Sequence, residues 1–235
     1  MEKKDIAMAA IFAAFVAVST MSFTLYIPAT RGYFNLGEAF VYISALLGGP
    51  IVGMIAGGVG SAMADVMLGY AVFAPGTLVI KGIEGLVAGY IFKRYAVATS
   101  TAPWRAFGLL LSATVSALLA YIGISYFSGE ASLSIPSATL NLTIYHIVWI
   151  FIATLFFFFL TYNVVRVGAP TSAALLATTL GGICMVIGYF LYEAFALRLG
   201  IAVASVEVPF NAGQYLVGSL IAIPVIRAVR RMTGR

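Results

Sequence analysis

The sequence has few charged residues, one histidine and one cysteine. Only 9% of its 235 residues are charged, whereas soluble domains carry about 25%. The single histidine, His146, excludes metal sites built from several histidines, and the single cysteine, Cys184, excludes an intramolecular disulfide. No GxxxxGKS or GxxxxGKT phosphate loop occurs, so the chain is not expected to hydrolyse ATP itself.

Apolar residues are in excess, at 62% of the chain against about 45–50% in soluble domains. They form eight runs, and the alternating pattern of barrel strands is missing. Because a membrane-crossing helix needs about 20 residues, the sequence predicts an all-α polytopic membrane protein of about eight spans, a single domain over residues 1–235 in a lipid bilayer. The runs are Ile6–Ile27, Gly37–Gly49, Pro50–Tyr70, Thr77–Phe92, Ala106–Phe127, Leu142–Tyr162, Ser172–Leu197 and Asn211–Ala228.

The basic residues are distributed unevenly between the two sides of such a membrane protein. Eight spans place both chain ends and the connections after the fourth and sixth spans on one side, and the positive-inside rule predicts that this side is the cytoplasm. The thirteen basic residues are too few to mark the cytoplasmic side and also to form a large basic surface. No nucleic acid partner is therefore expected. The predicted cytoplasmic residues are Lys3, Lys4, Lys93, Arg94, Arg105, Arg166, Arg227, Arg230, Arg231 and Arg235, against Arg31 and Arg198 outside.

A few polar residues interrupt the apolar runs. Lys81 and Glu84 share one face of the fourth predicted helix, because they lie three residues apart. Either they form a buried ion pair, with Asp65 as another possible partner for Lys81, or they face a ligand cavity. Glu193 is either a carboxylate that reaches the membrane surface or a site residue. Asn211 either caps the last helix or contacts a ligand.

Two strips of small residues predict close packing of helices. One lies on the third span and one on the first, each with a small residue at every fourth position. The glycine strip predicts packing within the chain, and the alanine strip predicts docking of another helix, from this chain or from a partner subunit. The strips are Gly49, Gly53, Gly57 and Ser61, and Ala9, Ala13 and Ala17.

Six segments, in this order and spacing, resemble the substrate-binding S components of energy-coupling factor (ECF) transporters. The last two are similar to the riboflavin-type branch of that family. Together the resemblance covers roughly residues 6–93 and 180–231. The segments are Gly32–Glu38 (GYFNLGE), Ala45–Pro50 (ALLGGP), Gly57–Asp65 (GGVGSAMAD), Thr77–Gly85 (TLVIKGIEG), Tyr189–Glu193 (YFLYE) and Val208–Gln214 (VPFNAGQ).

The resemblance implies a vitamin-uptake subunit of the cell membrane that is not an enzyme and needs no cofactor. Its implied partners are a membrane T component and two ATPase subunits, with the alanine strip of the first helix docking on the T component. Family members typically have six helices. The chain is therefore expected to consist of a family core, residues 6–93 and 170–231, and an inserted helix pair, residues 106–163.

The resemblance to the riboflavin-type branch implies riboflavin as the ligand, and aromatic side chains with a few polar groups suit its flat ring system and hydroxylated tail. Three alternatives stay open: another vitamin or small metabolite, an intramembrane enzyme, and a proton-coupled secondary transporter that uses Asp65, Lys81 and Glu84 as a relay. The predicted binding residues are Tyr33, Phe34, Asn35, Leu36, Gly37, Glu38, Asp65, Lys81, Glu84, Tyr192, Glu193, Asn211 and Gln214.

Overall fold

The computed structural model describes residues 2–27, 30–97, 102–126, 128–135, 138–166 and 169–233. Within them lie eight helices, which confirms the predicted all-α polytopic fold. Six of these, α1, α3, α5, α6, α7 and α8, are long and apolar enough to cross a membrane; α2 is short, and α4 carries Lys81 and Glu84. The helices are α1 Lys3–Ser22, α2 Glu38–Gly48, α3 Pro50–Met67, α4 Ala74–Tyr95, α5 Ala102–Tyr126, α6 His146–Arg166, α7 Ala169–Leu191 and α8 Ile201–Thr233.

Two short antiparallel hairpins join helices at one end of the bundle. Strands β1 (Thr24–Ile27) and β2 (Gly32–Asn35) connect α1 to α2, and β3 (Gly129–Ile135) and β4 (Ala138–Ile144) connect α5 to α6. The first predicted span was therefore too long, because the chain leaves the helix after Ser22 and continues as a strand. The hairpin end is the end that the charge distribution predicts to lie outside the cell.

Helices α3 and α4 pack closely through the glycine strip. A Cβ atom built on Gly57 would lie 2.7 Å from the backbone oxygen of Lys81, a distance that real Cβ contacts do not reach. The predicted packing role of this strip is confirmed. The close approach also fixes the backbone of Lys81 against α3, so that its side chain extends toward α2 and α7.

The remaining helices surround this pair. Helix α1 packs on α3, α7 packs on α4, and α8 packs on α2 and α7. Helices α5 and α6 pack on each other, and α5 also contacts α7 and α8. The division into a core and an inserted pair, residues 106–163, stays a prediction.

The alanine strip of α1 lies inside the chain. Ala9, Ala13 and Ala17 are 2%, 8% and 5% exposed, and a Cβ atom on Gly60 of α3 would lie 2.5 Å from the backbone oxygen of Ala13. The placement of these three alanines on a free docking surface is corrected. Helix α1 is apolar on all sides, so its sequence pattern does not indicate which face is buried. The exposed alanines of α1 are Ala7, Ala10 and Ala14.

Helix α8 begins ten residues earlier than predicted. It starts at Ile201 and continues through Pro209, so Asn211 lies inside the helix and does not cap it. A proline inside a helix removes one backbone hydrogen bond and bends the helix. Because of Pro209, residues Arg198–Phe210 were therefore predicted to form a connection before the last helix. Packing of the first turns, where Ala204 is fully buried, helps to offset this cost.

Candidate functional site

A cavity lies at the hairpin end of the bundle, beneath strand β2 and between α3, α4, α7 and α8. Its interior measures about 30 Å³, enough for one or two water molecules. Together with its open mouth it encloses about 400 Å³. The side chains and backbone that line it are those of Thr20, Gly32, Tyr33, Asn35, Ser61, Asp65, Phe73, Thr77, Lys81, Tyr189, Glu207, Asn211 and Gln214.

Six of the predicted binding residues meet at this cavity, although they come from four separate elements: Tyr33, Asn35, Asp65, Lys81, Asn211 and Gln214. The other seven lining residues are not among the binding residues that the sequence predicts. Four of these residues, Gly32, Ser61, Thr77 and Tyr189, belong to the segments that carry the family resemblance, so membership of those segments was the signal available for them.

A buried ionic network forms the inner wall of the cavity. The Lys81 ammonium contacts the Glu38 carboxylate and lies 3.1 Å from Oε2 of Glu84. The Tyr42 hydroxyl donates to Oε1 of Glu84 at 2.8 Å, and the Gln214 amide donates to Glu38 at 3.4 Å. These side chains are all at most 5% exposed. The network therefore ties α2, α4 and α8 together through side chains that are almost completely buried.

The network settles which partner Lys81 has. The predicted pair with Glu84 is present, Glu38 is a second partner, and Asp65 is paired elsewhere. Of the three network charges, Lys81 is the one that lines the cavity. The two carboxylates lie behind it, so they hold the lysine in position instead of lining the cavity themselves.

Tyr33 connects the hairpin to α3. Its hydroxyl donates to Oδ1 of Asp65 at 2.6 Å, and its ring centroid lies 4.5 Å from that of Tyr70. Burial, together with the neighbouring Asp65 carboxylate, raises the pKa of the Tyr33 phenol well above its ordinary value. The phenol therefore remains a hydrogen-bond donor at any physiological pH.

Asn35 connects the same hairpin to α8. Oε1 of Gln214 accepts from the Asn35 backbone N–H at 3.1 Å and from its side-chain amide at 3.4 Å. The Asn35 side-chain oxygen accepts from the backbone N–H of Gly37 at 2.9 Å, which closes the turn into α2. Both contacts hold β2 over the cavity.

Comparison with known proteins identifies the family of the chain. Residues 1–164 match the model of the ECF-type riboflavin transporter S component family. The chain belongs to this family. A protein of Pyrococcus woesei named "Uncharacterized protein in gap 3'region" is 42% identical over 111 residues, which cover 47% of this chain and 71% of that protein. The chain is therefore an S component of vitamin uptake and a multi-pass membrane protein.

Three predicted residues of the S component, one in the first hairpin and two in the turn that follows it, do not line the cavity. Phe34 points away from it, because alternate residues of a strand face opposite sides, and its ring meets Phe23 edge-on at 6.5 Å. Leu36 and Gly37 form the turn into α2, where their backbone oxygens accept from the N–H groups of the first helical turn. Their structural role is to start α2 at Glu38.

Two predicted residues of the S component lie beside the cavity at the end of α7. Tyr192 donates from its hydroxyl to the backbone oxygen of Val72 at 2.8 Å, which holds the turn between α3 and α4. Glu193 is fully buried, so the alternative of a carboxylate at the membrane surface is wrong. It lies next to Glu207, which does line the cavity. Among the described residues, no three His, Cys, Asp or Glu side chains are grouped for a metal ion.

Proposed function

We propose that this S component captures riboflavin in the cavity beneath β2 and delivers it for ATP-driven uptake with a T component and two ATPase subunits. The observation that carries the proposal is the meeting of aromatic rings, amides and one ammonium at this cavity in a chain of the riboflavin-type family. The charge distribution supports an orientation with the cavity outside and both termini in the cytoplasm of the cell.

The aromatic part of the cavity suits the flat flavin ring. Tyr33, Phe73 and Tyr189 line it from the hairpin, from the turn before α4 and from α7. The Tyr189 hydroxyl donates to Thr77 at 3.0 Å, and the Tyr189 ring lies 5.9 Å from the Lys81 ammonium. Rings held in this way gain by stacking on a second ring system without losing further side-chain freedom.

The polar part suits the edge of the flavin ring and the hydroxyls of the ribityl tail. Asn35, Asn211 and Gln214 offer amide donors and acceptors, and Lys81 offers a donor to a ring carbonyl. Glu84 supports Lys81 from behind and does not line the cavity. Ligand contact is therefore assigned to Lys81 and Asn35, and a positioning role to Glu84.

Entry of a vitamin requires the hairpin to move. The interior of about 30 Å³ is far below the roughly 300–1,000 Å³ of ligand pockets. The covering strand β2 is held to α3 and α8 by side-chain hydrogen bonds of Tyr33 and Gln214. Breaking these few bonds opens the cavity, so the hairpin acts as a lid over it.

Quenching of riboflavin fluorescence by the purified protein tests the ligand and its site. Asn211→Ala removes a buried amide that lines the cavity, so riboflavin should bind more weakly by about 1–3 kcal/mol, or roughly 5- to 150-fold. The matched control is Asn163→Ala on α6, a buried amide whose donor bonds its own helix at Phe159. The control should leave the affinity unchanged.

Three outcomes would contradict the proposal. Absence of quenching by the wild-type protein would show that the ligand is another vitamin. Equal affinities of the two variants would show that the site lies elsewhere. Riboflavin uptake by cells that lack the T component and ATPases, abolished by a protonophore, would show a proton-coupled transporter.

A further inference from the structure

A second cavity lies at the opposite end of the bundle, between α4, α7 and α8. Its volume is about 220 Å³. The floor is apolar and is formed by Phe92, Ala174, Ile223 and Ile226, each of which is buried. No acidic side chain lines this cavity in the described part of the chain. It shares no residue with the candidate riboflavin site and plays no part in the proposed capture.

Three arginines of α8 line the same cavity. Arg227, Arg230 and Arg231 are three and four residues apart, so they share one face of the helix. The Arg227 guanidinium lies 5.6 Å from the ring centroid of Tyr162, and that of Arg230 lies 5.5 Å from the ring of Phe92. These ring contacts hold two of the cations in place over the apolar floor.

The polar side of the cavity offers further donors. The Nε atom of Arg227 is buried and has no hydrogen-bond partner among the described residues. Pro170 and Thr171, in the first turn of α7, also line the cavity. The first turn of a helix carries N–H groups without partners in the helix and a partial positive charge. The positive charge of the arginines and that of the helix end therefore converge on one place.

We propose that this cavity binds the phosphate of an anionic membrane lipid. Guanidinium groups pair with phosphate oxygens through parallel N–H donors, and basic pockets between membrane helices bind anionic headgroups. The apolar floor favours a lipid over free phosphate, because the acyl chains of a bound lipid can pack on this apolar surface next to the headgroup. The site lies at the ends of α7 and α8, two membrane-crossing helices, and so at the depth of the headgroups.

The test measures lipid binding to the purified S component by native mass spectrometry. Short-chain phosphatidylglycerol is compared with phosphatidylcholine, and sn-glycerol 3-phosphate is compared with both. The wild-type protein should retain phosphatidylglycerol at least about tenfold more strongly than phosphatidylcholine. Equal retention of the two lipids would overturn the proposal. Retention of sn-glycerol 3-phosphate as strong as that of phosphatidylglycerol would show a site for soluble phosphate esters and would also overturn it.

Substitutions place the effect at this cavity. Arg227→Gln with Arg230→Gln should reduce the preference for phosphatidylglycerol about tenfold. The control, Lys93→Gln with Arg94→Gln, removes the same two charges at the same end of the molecule from exposed residues that do not line the cavity. An equal loss of lipid preference in the control variant would show that the preference depends on general surface charge, and would overturn the proposed site. If the double variant does not fold, the exposed Arg231→Gln replaces it, with a loss expected in the same direction.

Discussion

Replacing Lys81 by methionine removes the cation from between two buried carboxylates. Counted as ionised groups, Lys81, Glu38 and Glu84 carry a net charge of −1, and the substitution leaves −2 in a region where these side chains are at most 3% exposed. Breaking a buried ion pair by removing one partner costs about 3–5 kcal/mol. At about 2–4 °C per kcal/mol for a chain of this size, the melting temperature should fall by about 6–20 °C.

A second substitution tests the cause of that loss. Lys81→Met combined with Glu38→Gln restores the net charge to −1 and leaves Glu84, which still accepts a hydrogen bond from Tyr42 at 2.8 Å. The double variant should therefore recover about half of the lost stability. Thermal unfolding in detergent measures both effects, with Lys93→Met, an exposed lysine of the same helix, as the control. Equal melting temperatures of Lys81→Met and the control, or a double variant less stable than the single one, would refute the buried-network argument.

Three other substitutions probe the lid, the helix packing and α1. Tyr33→Phe removes a bond that must break when the lid opens, worth about 1–3 kcal/mol, and should therefore speed riboflavin association roughly 5- to 150-fold, measured by stopped-flow quenching. An unchanged association rate would mean that this bond does not hold the lid. Gly57→Ala should cost about 1–3 kcal/mol of stability by overpacking. The control, Gly82→Ala, should be tolerated, because the nearest contact of the added Cβ atom would be 3.6 Å. Equal unfolding temperatures of the two variants would contradict the close packing of α3 on α4 at the glycine strip. Ala13→Trp should abolish both riboflavin binding and energised uptake, because Ala13 is buried against α3, whereas Ala14→Trp, at an exposed position, should leave binding intact. Intact binding in the Ala13→Trp variant would place the alanine strip on a free surface.

The sequence determined the class of the protein and the chemistry available at its site. Long apolar runs predict helices in a membrane because a bilayer leaves the backbone no other hydrogen-bond partner. A lysine and a glutamate three residues apart in such a run predict either a buried pair or a ligand cavity, and Lys81 and Glu84 form the pair. Glycines at every fourth position predict close packing, and Gly57 lies against the backbone of α4. Each of these features is local, so spacing along the chain suffices to predict it.

The tertiary structure decided which residues share a cavity and which face of each helix is buried. Glu38 pairs with Lys81 across 43 positions, a contact that no local spacing indicates. Asn211 lies inside α8 because packing keeps the helix intact through Pro209. The apolar α1 has no polar face to orient it, so contact with Gly60 of α3 determined that Ala13 lies inside the chain. These outcomes depend on the shape of neighbouring elements, which the pattern of a single segment does not contain.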